Sequence, residues 1–293
     1  MTNSTTCGPI LLADRGVLRV SGPKVETFLQ DLVSNDVTTL TPSEGRYAAL
    51  LTPQGKILFD MIIITTTEED GARAFLIDCV AEQAADLAKR LGFYKLRAKV
   101  TIEDRSAQVA VLTYLHGAPQ IDGIVVRDPR SDALGYRAYV PRAQASAADT
   151  NATAYETRRI EAGVPKGGVD FAYGDAFPHE ANFDLINGVD FKKGCYVGQE
   201  VVSRMQHRGT TRKRIVKVTF SGEAPPPGAE IKAGDILVGT MGSSAHEHGL
   251  AMVRLDRVEE AKAAGLAPIA AGTRLDIEAE MDRAPHSRVA QSI

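Results

Sequence analysis

Cys195 sits in the string Lys192-Lys193-Gly194-Cys195-Tyr196-Val197-Gly198-Gln199-Glu200. Two lysines beside a thiol favour thiolate and pull the pKa below its usual ~8.5. A thiolate is both a nucleophile and a soft metal ligand, so this setting favours a reactive or ligating cysteine over a buried structural one. Gly194 is expected to permit close backbone approach, and Gly198 to let the chain turn into a following helix. The stretch is also basic. From Lys192 to Arg214 it holds seven bases, Arg204, Arg208 and Arg212 among them, against Glu200 alone. That pattern is either a solvated face or a site for an anionic ligand or acidic partner.

Other candidates are weaker. Cys79 follows the apolar run Phe75-Leu76-Ile77 and reads as core, and Cys7 lies near the chain start. Three cysteines, odd in number, far apart and without C-x-x-C, argue against a disulfide framework or structural zinc and for a reducing compartment. His246-Glu247-His248 would place two imidazoles on one side of a strand, but a loop pair is the better account. Neither a P-loop nor a G-x-G-x-x-G turn is present.

Lys193 to Glu200 form a K-G-C-Y-x-G-Q-E motif. Around it stand Arg159-Ile160-Glu161-Ala162-Gly163, Gly168-Val169-Asp170, Pro178-His179-Glu180-Ala181-Asn182 and Leu51-Thr52-Pro53-Gln54-Gly55-Lys56. With these residues the sequence resembles the YgfZ-type branch of the folate-binding YgfZ/GcvT family over most of residues 15 to 255. The resemblance implies a tetrahydrofolate-binding accessory protein for the assembly, maintenance or repair of iron–sulfur enzymes, without a conventional turnover of its own. Its partners would be folate and iron–sulfur proteins or assembly factors. It implies that activity depends on Cys195, as nucleophile or transient cluster ligand. Glu180 would accept the paired donors of the pterin, as a carboxylate can. Lys193 and Arg204 would supply positive field for the folate tail, and Tyr196 would flank the ring. Tyr47 suits that role or the core equally. The rival reading is a folate-dependent aminomethyltransferase of the glycine cleavage type. That branch carries G-G-x-x-D-D after its hairpin turn, where this chain has Gly55-Lys56-Ile57-Leu58-Phe59-Asp60. Only Asp60 of the acid pair remains, which leans against one-carbon transfer, while a folate-sized pocket with Asp60 among its binding residues is still expected.

The elements that must position these residues follow from periodicity. Val17–Val20, Tyr47–Leu51, Lys56–Thr66, Arg73–Asp78, Lys95–Ile102, Gln108–Leu115, Gly123–Val126 and Gly135–Val140 read as strands. Helices are expected over 23–33, 80–91 and 154–162. Residues 164–194 read as an ordered site loop. Beyond Arg214, short strands broken by Ala224-Pro225-Pro226-Pro227-Gly228 suggest a small β-barrel. The fold class is therefore α+β. A mixed, largely antiparallel region over 1–209, like the glycine cleavage aminomethyltransferase fold, precedes a barrel over 210–293.

Composition narrows the setting. With 293 residues, 44% hydrophobic and 24% charged, the chain is neither disordered nor fibrous. The net charge of −3 argues against stable nucleic-acid binding, so a tRNA-modification role for the basic stretch is the weaker reading. No membrane span or targeting signal is visible, and a cytoplasmic protein is expected.

Overall fold

The computed structural model describes residues 8–95, 98–209 and 211–278. Cys7 lies outside the described residues, as do residues 279–280 at the end of the last strand-like run of the sequence, Leu275–Glu280.

The first layer is built from β2 (Arg15–Ser21), β3 (Gly45–Leu51), β4 (Ile57–Thr67), β5 (Arg73–Val80) and β6 (Thr101–Asp104). They form one antiparallel sheet in the order β3-β4-β5-β2-β6. Of the strand expected over 95–102, residues 96–97 lie outside the described residues, and β6 is described from Thr101, where pairing with Ser21 of β2 starts. Strand β4 reads as a nearly continuous apolar run, broken by Asp60, because both its faces are buried. Met61 and Ile63 pack against α1 (Val25–Gln30) and α2 (Ala84–Tyr94), while Ile62 and Ile64 face the centre of the molecule. Helix α2 turns Ala84, Leu87 and Leu91 to the sheet, a spacing of three and four residues, and each buried leucine contributes about 1.5–3 kcal/mol.

A second antiparallel sheet has the order β1-β7-β9-β8, from β1 (Ile10–Leu11), β7 (Val109–Tyr114), β8 (Ile124–Arg127) and β9 (Tyr136–Pro141). Helix α3 (Thr153–Glu161) follows and ends two residues before Gly163, which takes φ 68°. From there to Gly198 the described chain has neither helix nor strand, as expected for a site loop, and it is nonetheless largely buried. Helix α4 (Gln199–Arg208) then leads into the barrel.

The barrel is closed, with strand order β10-β13-β12-β11-β14-β15. Its strands are β10 (Lys213–Phe220), β11 (Glu230–Ala233), β12 (Ile236–Ala245), β13 (His248–Arg254), β14 (Ile269–Ala270) and β15 (Thr273–Ile277), with α5 (Leu255–Ala263) set between β13 and β14. Helix α5 is a feature that periodicity did not anticipate. Closure removes the free sheet edges that would otherwise invite pairing with other chains. Among the described residues no helix is long and apolar enough to cross a membrane.

Candidate functional site

Cys195 stands exposed on a loop whose neighbours are buried. Two residues before it, the Lys193 side chain turns inward. Its ammonium donates to the carbonyl oxygens of Gln30 at 2.7 Å, Val33 at 2.6 Å and Asn35 at 3.0 Å. Those carbonyls belong to the last residue of α1 and the turn after it, which explains why α1 stops at Gln30 rather than 33. One residue after the cysteine, Tyr196 is buried, with the Lys193 ammonium 5.1 Å from its ring centroid. Upstream, the Asp190 carboxylate accepts the backbone N–H groups of Lys192 and Lys193, and the Asp190 N–H donates to the Ser34 carbonyl. The thiol is thus displayed on a loop tied to α1 and the turn after it just upstream, with Tyr196 buried just downstream.

The two glycines of the loop behave differently. Gly198 takes φ 84° as the residue before α4, and a Cβ there would lie 2.6 Å from the Thr52 carbonyl oxygen. It lets the chain turn into the helix, as expected. Gly194 does not serve close approach, because a Cβ there would meet nothing within 4 Å. That expectation is corrected.

Electrostatics around the thiol also differ from the sequence expectation. Burial pushes the Lys193 ammonium down to about 8, against the pull of Asp36, Asp190 and Asp31. All three of its hydrogens are held by backbone oxygens, so it acts as a clamp on the loop. Arg204 lies exposed on α4 and pairs with Glu200 one turn away at 2.5 Å. The basic face around the loop is otherwise open: Lys192, Arg208, Arg212 and Lys213 are exposed and carry no ion pair among the described residues. Cys79, by contrast, is buried in the first sheet, and that burial pushes its thiol up to about 12.

Glu180 lies in the turn that packs against the start of the barrel. One of its carboxylate oxygens accepts the Phe177 N–H at 2.9 Å, and its carbonyl accepts the Ile215 N–H. It therefore caps a turn. His179 beside it is buried under Phe191 and meets Gln206 of α4 at 3.0 Å.

Asp60 is elsewhere. With Ile62 and Ile64 it shares the face of β4 that looks to the centre, while Phe59 points the other way, against the helices. Its carboxylate accepts the hydroxyls of Tyr47, at 3.1 Å, and of Tyr173. Here sequence reasoning missed a group of residues. Arg15, Arg130 and Arg137, with Asp78 and Asp128, form a buried chain of ion pairs: Arg15–Asp78 at 2.6 Å, Arg137–Asp78 at 2.7 Å, Arg137–Asp128 at 2.9 Å and Arg130–Asp128 at 2.7 Å. The Tyr155 hydroxyl accepts from Arg130 and Arg137, both at 2.7 Å. Burial alone would raise the Asp128 carboxyl, but Arg130 and Arg137 hold it well below the usual carboxylate range. The signal was available: Asp78 and Arg137 interrupt apolar strands at inward positions.

The cavity at this centre measures about 30 Å³ and is bounded by Asp60, Arg15, Arg130, Arg137, Tyr155 and Lys166, among others. None of Glu180, Lys193, Cys195, Tyr196 or Arg204 lines it. Of the residues expected to hold folate, Asp60 alone lines it. Ligand pockets for organic cofactors run to roughly 300 Å³ and more, and about 30 Å³ is the share of one water molecule. Tetrahydrofolate does not fit there. A wider groove of about 540 Å³, between α3 and the β12–β13 turn, contains none of the predicted residues. In that turn His246 takes φ 52°, and no group of three or more metal-binding side chains exists among the described residues.

Comparison with known proteins fits this architecture. Residues 12–118 match the GCVT N-terminal domain, and residues 212–280 match the CAF17 C-terminal beta-barrel domain. Iron–sulfur cluster assembly factor IBA57 of Homo sapiens is 31% identical over 281 residues, which cover 85% of this chain and 78% of that protein. The chain belongs to the IBA57 family. The Mus musculus member is 35% identical over 74% of this chain and 67% of its own length. The Mycosarcoma maydis homologue is 38% identical, and there the chain spans little more than half of the relative, 58%. All three are named as mitochondrial proteins, which overturns the expectation of a cytoplasmic one. The crystal structure of glycine cleavage system aminomethyltransferase T from Bartonella henselae superposes with a TM-score of 0.71 over 92% of this chain and 84% of its own, at 18% identity. The shared fold is thus that of the glycine cleavage T protein.

Proposed function

We propose that this protein supports iron–sulfur cluster assembly by offering Cys195 as a single, transient thiolate ligand to a cluster carried by a second protein. The observation that carries the reading is the exposed thiol on a loop held by buried Lys193 and Tyr196. The family's name supports the process. Clusters of the common types need four thiolates or their equivalents. Among the described residues no group of three or more metal-binding side chains exists, so a partner must supply the remaining ligands. On ligation the thiol gives its proton to solvent and its sulfur lone pair to iron, and release reverses both. Holding the loop rigid lowers the ordering cost of meeting a cluster on another molecule.

Cys195→Ser tests this. The change nearly conserves volume, so the melting temperature should stay close to that of the wild type. Rescue of iron–sulfur enzyme activity in cells lacking the protein should be lost. Full rescue by the serine variant would remove the thiolate from the function.

A further inference from the structure

We infer that the central cavity is closed to a pterin and is permanently filled by the protein's own ion pairs, so that this chain works without folate bound there. Three observations converge on it. The space left between the two sheets and α3 is about 30 Å³, too small for a bicyclic ring. The buried charges cancel without help: the guanidiniums of Arg15, Arg130 and Arg137 face the carboxylates of Asp60, Asp78 and Asp128. Each carboxylate oxygen is also hydrogen-bonded within the cluster. Asp78 accepts from Arg15 on one oxygen and from Arg137 and Tyr139 on the other. Asp128 accepts from Arg130 on both oxygens and from Arg137 on one. Asp60 accepts one tyrosine hydroxyl on each oxygen.

A ligand site waiting for its ligand leaves polar atoms unpaired. Around this cavity every oxygen of Asp60, Asp78 and Asp128 already accepts at least one hydrogen bond. Its mouth is crossed by Lys166, whose ammonium pairs with Asp14 of the β1–β2 turn at 2.7 Å and Glu156 of α3 at 3.5 Å. To admit a pterin, Arg137 or Tyr155 would have to leave, stranding buried carboxylates without their counter-charge. The lattice joins the first sheet, the second sheet and α3.

Titration calorimetry with tetrahydrofolate and with a polyglutamylated tetrahydrofolate tests the inference on the full chain. No saturable heat is expected up to about 1 mM ligand, a concentration that reveals even the weakest specific sites. Saturable binding left unchanged by Asp60→Asn would place folate outside the cavity and uphold the inference. Saturable binding that Asp60→Asn weakens would overturn it. A readout on the unmutated protein guards against a variant that fails to fold. The arginine Nε–H resonances of Arg15, Arg130 and Arg137 should exchange slowly with water and stay in place when tetrahydrofolate is added. Their displacement by saturating folate would sink the closed cavity.

Discussion

The Lys193 ammonium lies 2.6 Å from the Val33 carbonyl oxygen, joining residues 160 apart in sequence. A lysine two places from a reactive cysteine is expected to lower the thiol's pKa, yet this one points away from solvent and satisfies three backbone oxygens. Its contribution to the thiol is positional. Removing it frees the loop and strands buried carbonyls at the end of α1.

Lys193→Met should therefore lower the unfolding free energy by about 2–3 kcal/mol, the usual worth of hydrogen bonds to a charged group. A urea midpoint measures that loss. Hydrogen exchange should quicken over residues 190–198 while the barrel keeps its protection. Unchanged exchange in that segment would show that the clamp is dispensable.

Gly198→Ala and Gly194→Ala make a matched pair. The first forces a side chain into a left-handed conformation and into the Thr52 carbonyl, and should cost about 2–3 kcal/mol. The second meets open space and should stay within about 0.5 kcal/mol of wild type. Chemical denaturation of both variants decides it, and equal losses would contradict the described turn.

Local pattern made much of the framework legible. The Thr52-Pro53-Gln54-Gly55 turn between two strand-like runs gave the β3–β4 hairpin, and alternation after Arg214 gave a barrel. What local pattern could not supply was contact across the chain. Lys193 reads as a basic neighbour of Cys195 until Val33 is seen beneath it. Asp78 and Arg137 read as stray charges in apolar strands until the second sheet brings them together. Glu180 is a pterin acceptor by resemblance alone, and the bond from one of its oxygens to the Phe177 N–H three residues away could not be read from that pattern. Helix α5 was not legible because tertiary packing outweighs its weak amphipathic pattern.

The two described cysteines should differ sharply toward iodoacetamide. Cys195 is exposed, while Cys79 is buried with its thiol pushed up to about 12. At neutral pH in the folded protein Cys195 should alkylate faster by on the order of 100-fold or more, since rate follows access and thiolate fraction. Peptide mapping after brief labelling separates the sites. Comparable labelling of both would mean that the first sheet opens readily or that the Cys195 loop is shielded.

Asp128→Asn tests the ion-pair lattice through its pH dependence. Arg130 and Arg137 hold the native carboxyl well below its unfolded value, so the unfolded chain takes up the proton first as pH falls. The stabilisation is thus fully present above the usual carboxylate pKa of about 3.9 and is lost progressively below it. At pH 7 the asparagine variant should be less stable by about 3–5 kcal/mol, because two buried guanidiniums lose their shared counter-charge. Below about pH 4 the wild type should lose stability faster than the variant, and the gap between their urea midpoints should narrow. A gap that stays constant from neutral pH down into that acid range would assign the loss to packing rather than charge.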